Sequence, residues 1–145
     1  QSHLRISDQK IYSDLIPLGK ADLIISLEPL EVLRYLPYLS EKGTIITAIE
    51  PVKNIGNYPE METIIQQINA SGFKTIFVDA AKTAREAGSP RTENVVMVGV
   101  AAQFLGIEKL QFENSLKEMF GNKGEDIVHL NLKAFQLGYE LAIQS

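Results

Sequence analysis

The sequence predicts an α/β domain: an open, largely parallel sheet flanked by helices. Three observations carry this. Leu23–Leu27 is an apolar run, as a strand covered on both faces requires. β-Branched runs at Thr44–Ile49 and Thr75–Val78 alternate with segments whose apolar residues recur at helical spacing. Strands that alternate with helices imply crossover connections, and crossovers pair strands in parallel. With 145 residues the chain has room for one domain with a real core and not for two, so 1–145 is read as a single domain.

The elements follow in order. His3–Ser7 and Lys10–Ser13 flank a polar Asp-Gln turn, and the alternation of Leu4, Ile6 and Ile11 predicts a hairpin with one buried face. The Leu23–Leu27 strand runs into Glu28-Pro29, where proline suits the first helical position because its missing N–H would be unpaired there. Leu30, Leu33 and Leu36 give a short helix that Pro37 ends or kinks, and Gly43 closes the connection to Thr44–Ile49. Glu50–Glu60, with two prolines, reads as a long loop. Met61, Ile64, Ile65 and Ile68 mark a helix stopped at Gly72. After Thr75–Val78 come a helix over Ala80–Ala87, a Gly88-Ser89-Pro90 break and a buried helix over Asn94–Leu105. Phe112, Leu116, Met119 and Phe120 define the next helix, stopped by Gly121. The last spans Glu125–Ile143, where Ala134, Gly138 and Ala142 form a small-residue face suited to close approach.

Composition narrows the function. A net charge of −4 with no long basic run leaves no electrostatic footprint for nucleic acid. No apolar stretch nears the length of a membrane-spanning helix. Cysteine is absent, so disulfides, thiolate metal sites, a cysteine nucleophile and iron–sulfur ligation by this chain are excluded. A cytoplasmic location is the expectation. The start, QSHLRI, lacks methionine and is neither a signal nor a transit peptide, and reads as the edge of a fragment.

Glu28 and Asp79 each fall where a strand gives way to a helix. Ligands of open α/β sheets bind at that carboxyl edge, so both are pocket candidates; each carboxylate also suits a helix N-cap. His3 and His129 have no acidic cluster at ligand spacing, so no metal site is expected. Neither a Walker loop, an intact G-x-G-x-x-G nor a G-x-S-x-G elbow is present. Lys82, Arg85 and Arg91 form a basic cluster around the Gly88 loop, either a solvated face or a contact for phosphate or a partner's carboxylates. Asn94 stands as the expected N-cap of the buried helix.

Several strings go further. Ser2-His3-Leu4-Arg5 followed by Ile11-Tyr12-Ser13-Asp14-Leu15-Ile16-Pro17 resembles the hairpin and "YSPLIP" segment of the 2-oxoacid:acceptor oxidoreductase gamma domain. Ala21-Asp22-Leu23-Ile24-Ile25 running into Glu28-Pro29-Leu30-Glu31 is similar to that family's "ADLLLGLEPLEALR" signature. Pro90-Arg91 with Asn94-Val95-Val96-Met97-Val98-Gly99 resembles its "G-N-P-R-x-x-N-x-x-x-L-G" stretch. Asn131-Leu132-Lys133-Ala134-Phe135 with Gly138-Tyr139 matches its "N-L-K-A-F-x-x-G-Y" helix. The matches lie in order along the whole chain, and the Glu-Pro-Leu-Glu block and final helix are most similar to the indolepyruvate branch. The family's upstream glycine-rich strand-loop is missing from these residues.

The resemblance implies oxidative decarboxylation of a 2-oxoacid with coenzyme A to an acyl-CoA, the electrons passing to ferredoxin. Thiamine diphosphate and iron–sulfur clusters are then expected on a larger partner subunit, with no cofactor bound and no catalytic residue in this chain. Glu28, Pro29 and Asn94 are the pocket or subunit-interface candidates. Alternatives are the pyruvate or 2-oxoglutarate branch of the family, a stand-alone nucleotide-binding α/β module, and a purely structural assembly subunit.

Overall fold

Three strands make the sheet in a computed structural model that describes residues 1–50 and 59–143. They are β1 (Ala21–Ser26), β2 (Leu39–Ala48) and β3 (Lys74–Val78), in the order β1-β2-β3. Both pairings are parallel, so all three carboxyl ends lie on one edge. The crossovers are helical: α1 (Pro29–Tyr35) joins β1 to β2, and α2 (Met61–Ala70) precedes β3. After β3 the chain is helical, through α3 (Ala80–Ala87), α4 (Glu93–Ala102), α5 (Lys109–Phe120) and α6 (Glu125–Ile143). The expected loop over Glu50–Glu60 falls largely on residues 51–58, outside the described residues.

Side-chain alternation along β2 divides the core. Ile45 faces a cluster with Val32 of α1 and Ile64 and Ile68 of α2. Its neighbour Ile46 faces the opposite way, into a larger cluster with α3, α4 and α6. Both isoleucines are fully buried, each worth about 1.5–3 kcal/mol of burial. The continuous apolar character of α4 has a simple cause. It lies between the sheet and α6, and Val95, Val96, Met97, Val100, Ala101 and Ala102 are all buried.

The α4–α6 contact is backbone on backbone. A Cβ at Gly138 would stand 2.1 Å from the Val96 carbonyl oxygen, and one at Gly99 2.3 Å from that of Phe135. The small-residue face of α6 therefore does what its spacing implies, with Ala134 and Gly138 buried and Ala142 partly so. Gly99 is its counterpart on α4, and the apolar run around it hid that role.

Three expectations are corrected. Residues 3–13 form no hairpin: the segment is irregular, and Leu4, Ile6 and Ile11 are 70%, 55% and 37% exposed. With no core beneath them, alternation had no face to bury, and side chains satisfy backbone groups instead. Second, β2 starts at Leu39, well before Thr44. Ala21 pairs with Leu39 and Leu23 with Thr44, so β2 carries extra residues in a bulge. Gly43 sits in it, where a Cβ would meet a Leu39 methyl at 2.6 Å and the Ala21 carbonyl at 3.1 Å. Third, Asn94 is not a cap. A 3₁₀ turn over Pro90–Thr92, capped by the Ser89 hydroxyl, feeds directly into α4, so Thr92 takes the N-cap position and Asn94 lies exposed in the first turn.

Candidate functional site

The turn from β1 into α1 is built by its own side chains. Ser26 Oγ accepts from the Glu28 amide at 3.0 Å and donates to the Glu28 carbonyl at 2.7 Å. Glu28 Oε1 accepts from the Leu30 amide at 3.2 Å, capping the helix. Pro29 fills the first helical position and is buried beneath this turn. Just after β3, Asp79 repeats the device: its Oδ1 accepts from the Lys82 amide at 3.0 Å while its carbonyl receives the Thr83 hydroxyl at 2.9 Å. Both carboxylates are helix caps at the same sheet edge, with β2 between them, so their strands lie roughly 10 Å apart.

Only Glu28 also lines a cavity. A cleft of about 400 Å³ runs along the unpaired side of β1, where Ile25 is 45% exposed. Strand residues and the Ser26–Glu28 turn form one wall, Glu31, Tyr35 and Tyr38 a second. The N-terminal segment closes it with His3 and Ile16. His3 is a clasp: its Nδ1 accepts from the Ile16 amide at 2.9 Å, and its ring meets Tyr38 edge-on at 5.8 Å. Pro29 and Asn94 do not line this cleft, and neither does Asp79. The tyrosine pair and the His3 clasp were not singled out from the sequence, because each depends on residues brought together by the fold.

The chemistry of the lining is selective. Two carboxylates, Glu28 and Glu31, face it, Glu31 paired with Arg34 at 3.1 Å, and among the described residues no lysine or arginine lines it. Phosphates and oxoacid carboxylates are held by cations or by clustered backbone amides. Here the α1 amide of Leu30 is already taken by Glu28. Among the described lining residues, no side-chain cation stands ready for a thiamine diphosphate, a coenzyme A phosphate or an oxoacid carboxylate. Lys82, Arg85 and Arg91 are exposed elsewhere, on α3 and the turn after it. Among the described residues, no group of three or more acidic or histidine side chains could hold a metal ion. None of the described helices is long and apolar enough to cross a membrane.

Both carboxylate caps are ordinary structural devices, so their removal has a definite cost. Asp79→Ala and Glu28→Ala are each expected to lose about 1 kcal/mol of stability in urea unfolding. Asp79→Asn, which keeps a capping oxygen, should recover most of the loss.

An open, three-stranded parallel sheet with helices on both faces and a cleft beside its first strand is a three-layer α/β domain. The chain belongs to the pyruvate ferredoxin/flavodoxin oxidoreductase family, which residues 1–141 match. It is 38% identical to the indolepyruvate oxidoreductase subunit IorB of Archaeoglobus fulgidus, over 97% of this chain and 72% of that protein. The IorB subunit of Thermococcus kodakarensis is 34% identical over 92% and 69%. Two solved structures share the fold. A 2-oxoglutarate:ferredoxin oxidoreductase from Magnetococcus marinus superposes with a TM-score of 0.70 at 21% identity, covering 96% of this chain and 22% of that one. The gamma subunit of a keto/oxoacid ferredoxin oxidoreductase from Geobacter sulfurreducens gives 0.60 at 24%, covering 86% and 65%.

Proposed function

We propose that this chain is the small, cofactor-free subunit of a thiamine-diphosphate-dependent 2-oxoacid:ferredoxin oxidoreductase that acts on indolepyruvate and related aryl pyruvates. The observation that carries the reading is the run of curated relatives, 31–38% identical over nearly the whole chain, that are all indolepyruvate oxidoreductase IorB subunits. The reaction is oxidative decarboxylation: oxoacid and coenzyme A become acyl-CoA and carbon dioxide, and two electrons pass to ferredoxin in the cytoplasm. Thiamine diphosphate supplies the carbanion chemistry and iron–sulfur clusters the electron path, both on a larger partner subunit. This chain, without a cysteine, ligates no cluster through thiolates.

Its own residues contribute shape. The carboxylate-lined cleft disfavours the anionic reactants, so they are held by the partner, and Glu28 and Pro29 act by fixing the β1–α1 turn at the junction. Asn94, exposed on the first turn of α4, is a further interface candidate.

The test is dye reduction by the full-length protein mixed with its large partner, supplied with thiamine diphosphate and coenzyme A. Indolepyruvate, phenylpyruvate, pyruvate and 2-oxoglutarate are compared with and without this subunit. Aryl-pyruvate turnover that depends on this chain supports the reading. Preference for pyruvate or 2-oxoglutarate moves it to another branch, and no turnover with any oxoacid sinks it.

A further inference from the structure

Helix α5 is held differently from its neighbours. Seven of the ten residues of α4 are buried, whereas Leu116 alone is buried among the twelve of α5. Five of the seven exposed residues of α5 are polar or charged, Gln111, Asn114, Ser115, Lys117 and Glu118, so its outer side is a solvated face. The helix is also weak in itself. Glu108 at the N-cap gives no side-chain hydrogen bond, and the Ser115 hydroxyl donates back to the Gln111 carbonyl at 2.9 Å, competing with the helical ladder. A glycine in the left-handed region stands beyond each end, Gly106 at φ +64 and Gly124 at φ +107, and a Cβ on either would meet nothing within 4 Å.

We infer that α5 is a hinged flap, which swings off the α4–α6 core as one body between Gly106 and Gly124 while the rest of the domain stays folded. Its inner side is a narrow apolar seat: Phe112 stacks on Phe135 at 5.6 Å, Leu116 is buried and Phe120 partly so. One side chain latches its N-terminal end. Lys109 Nζ donates to Gln136 Oε1 on α6, stands 3.5 Å from the Glu113 carboxylate and lies 5.1 Å from the centre of the Tyr139 ring. Gln136 in turn donates to Glu140, so the latch engages a full turn of α6. By contrast α4 and α6 meet through their backbones at Gly99 and Gly138, and cannot part without opening the core. Opening α5 breaks only its seat and its latch, which is how a unit of low local stability is built. In the open state the faces of Phe135 and Tyr139 that α5 covers are bared.

Amide hydrogen exchange on the full-length protein, corrected for intrinsic rates, tests the flap residue by residue. The α5 amides should exchange as one group, at least roughly 30-fold faster than those of residues 95–102 on α4 and 131–138 on α6, and the group should end at Gly106 and Gly124. Lys109→Met keeps the apolar stem and removes the charge. It should speed the α5 group about fivefold and leave α4 and α6 at their former rates. Lys117→Met, on the exposed side of the same helix, should leave all three within about twofold. If α5 is protected as well as α4 and α6, it opens only with the whole domain and the inference is overturned. Rates graded inward from the helix ends, with no common value, overturn it as well, because they mean fraying. A Lys109→Met variant that leaves α5 unchanged, or that speeds all three helices alike, removes the latch and the flap with it.

Discussion

Gly138→Ala is expected to destabilise the protein by about 3 kcal/mol, lowering the melting temperature by roughly 10 °C. The sign matters most. In an unhindered helix the same change gains up to about 1 kcal/mol, because alanine is the better helix former. Here the added methyl would sit 2.1 Å from the Val96 carbonyl oxygen and 2.9 Å from its carbon. Those are backbone atoms of a helix clamped between the sheet and α6, so no rotamer change relieves the clash. The helices must separate, and separation opens gaps beside Phe135 and Val100 in the centre of the larger cluster. Gly121→Ala makes the control. Nothing lies within 4 Å of a Cβ there, and the backbone, at φ −55 and ψ −38, is already helical. It should be neutral or gain a few tenths of a kcal/mol. Thermal and urea melts of the two variants decide the matter, and a stable Gly138→Ala would mean that α4 and α6 do not meet through their backbones.

Much of this fold was legible because its elements are punctuated by residues with one physical meaning. Pro29 opens α1, Gly72 and Gly88 with positive φ follow α2 and α3, and the apolar stretches at Leu23, Thr44 and Thr75 became the three strands. Helix α6 runs over Glu125–Ile143, the span its periodicity marks. The caps at Glu28 and Asp79 were readable for the same reason, since a carboxylate between strand and helix has orphan amides within reach. What failed depended on partners distant in the chain. Alternation at Leu4, Ile6 and Ile11 implied a buried face, but no element supplies one. The bulge at Gly43 arises from the pairing of β2 with Ala21, which no local pattern encodes. The cleft was the least legible feature. Glu28 could be placed on its rim, while Tyr38 and His3 reach it only through a fold that joins residues 35 positions apart. Pro29 is buried under the turn and Asn94 lies on another face of the molecule's helices, so the three candidates do not converge on one pocket.

Phe135→Ala should cost about 4 kcal/mol. Its ring is fully buried, stacked on Phe112 at a centroid distance of 5.6 Å and tilted against Tyr139 at 6.1 Å. Removing it leaves a cavity where α4, α5 and α6 meet, and neighbours held at backbone contact by Gly99 and Gly138 have little freedom to collapse into it. Those helices occupy the face of the sheet reached by Ile46, whereas Ile16 and Tyr38 beside the cleft pack with Ile45 on the other. A domain with an ordinary stability of about 5–15 kcal/mol can lose this much and remain mostly folded at low temperature. The variant is therefore expected to melt far earlier than the unaltered protein yet keep a folded circular dichroism spectrum at about 10 °C. Tyr12→Asp/Leu15→Asp, at side chains 86% and 68% exposed, should melt normally. If Phe135→Ala melts like the unaltered protein, the ring is not the centre on which α4, α5 and α6 pack.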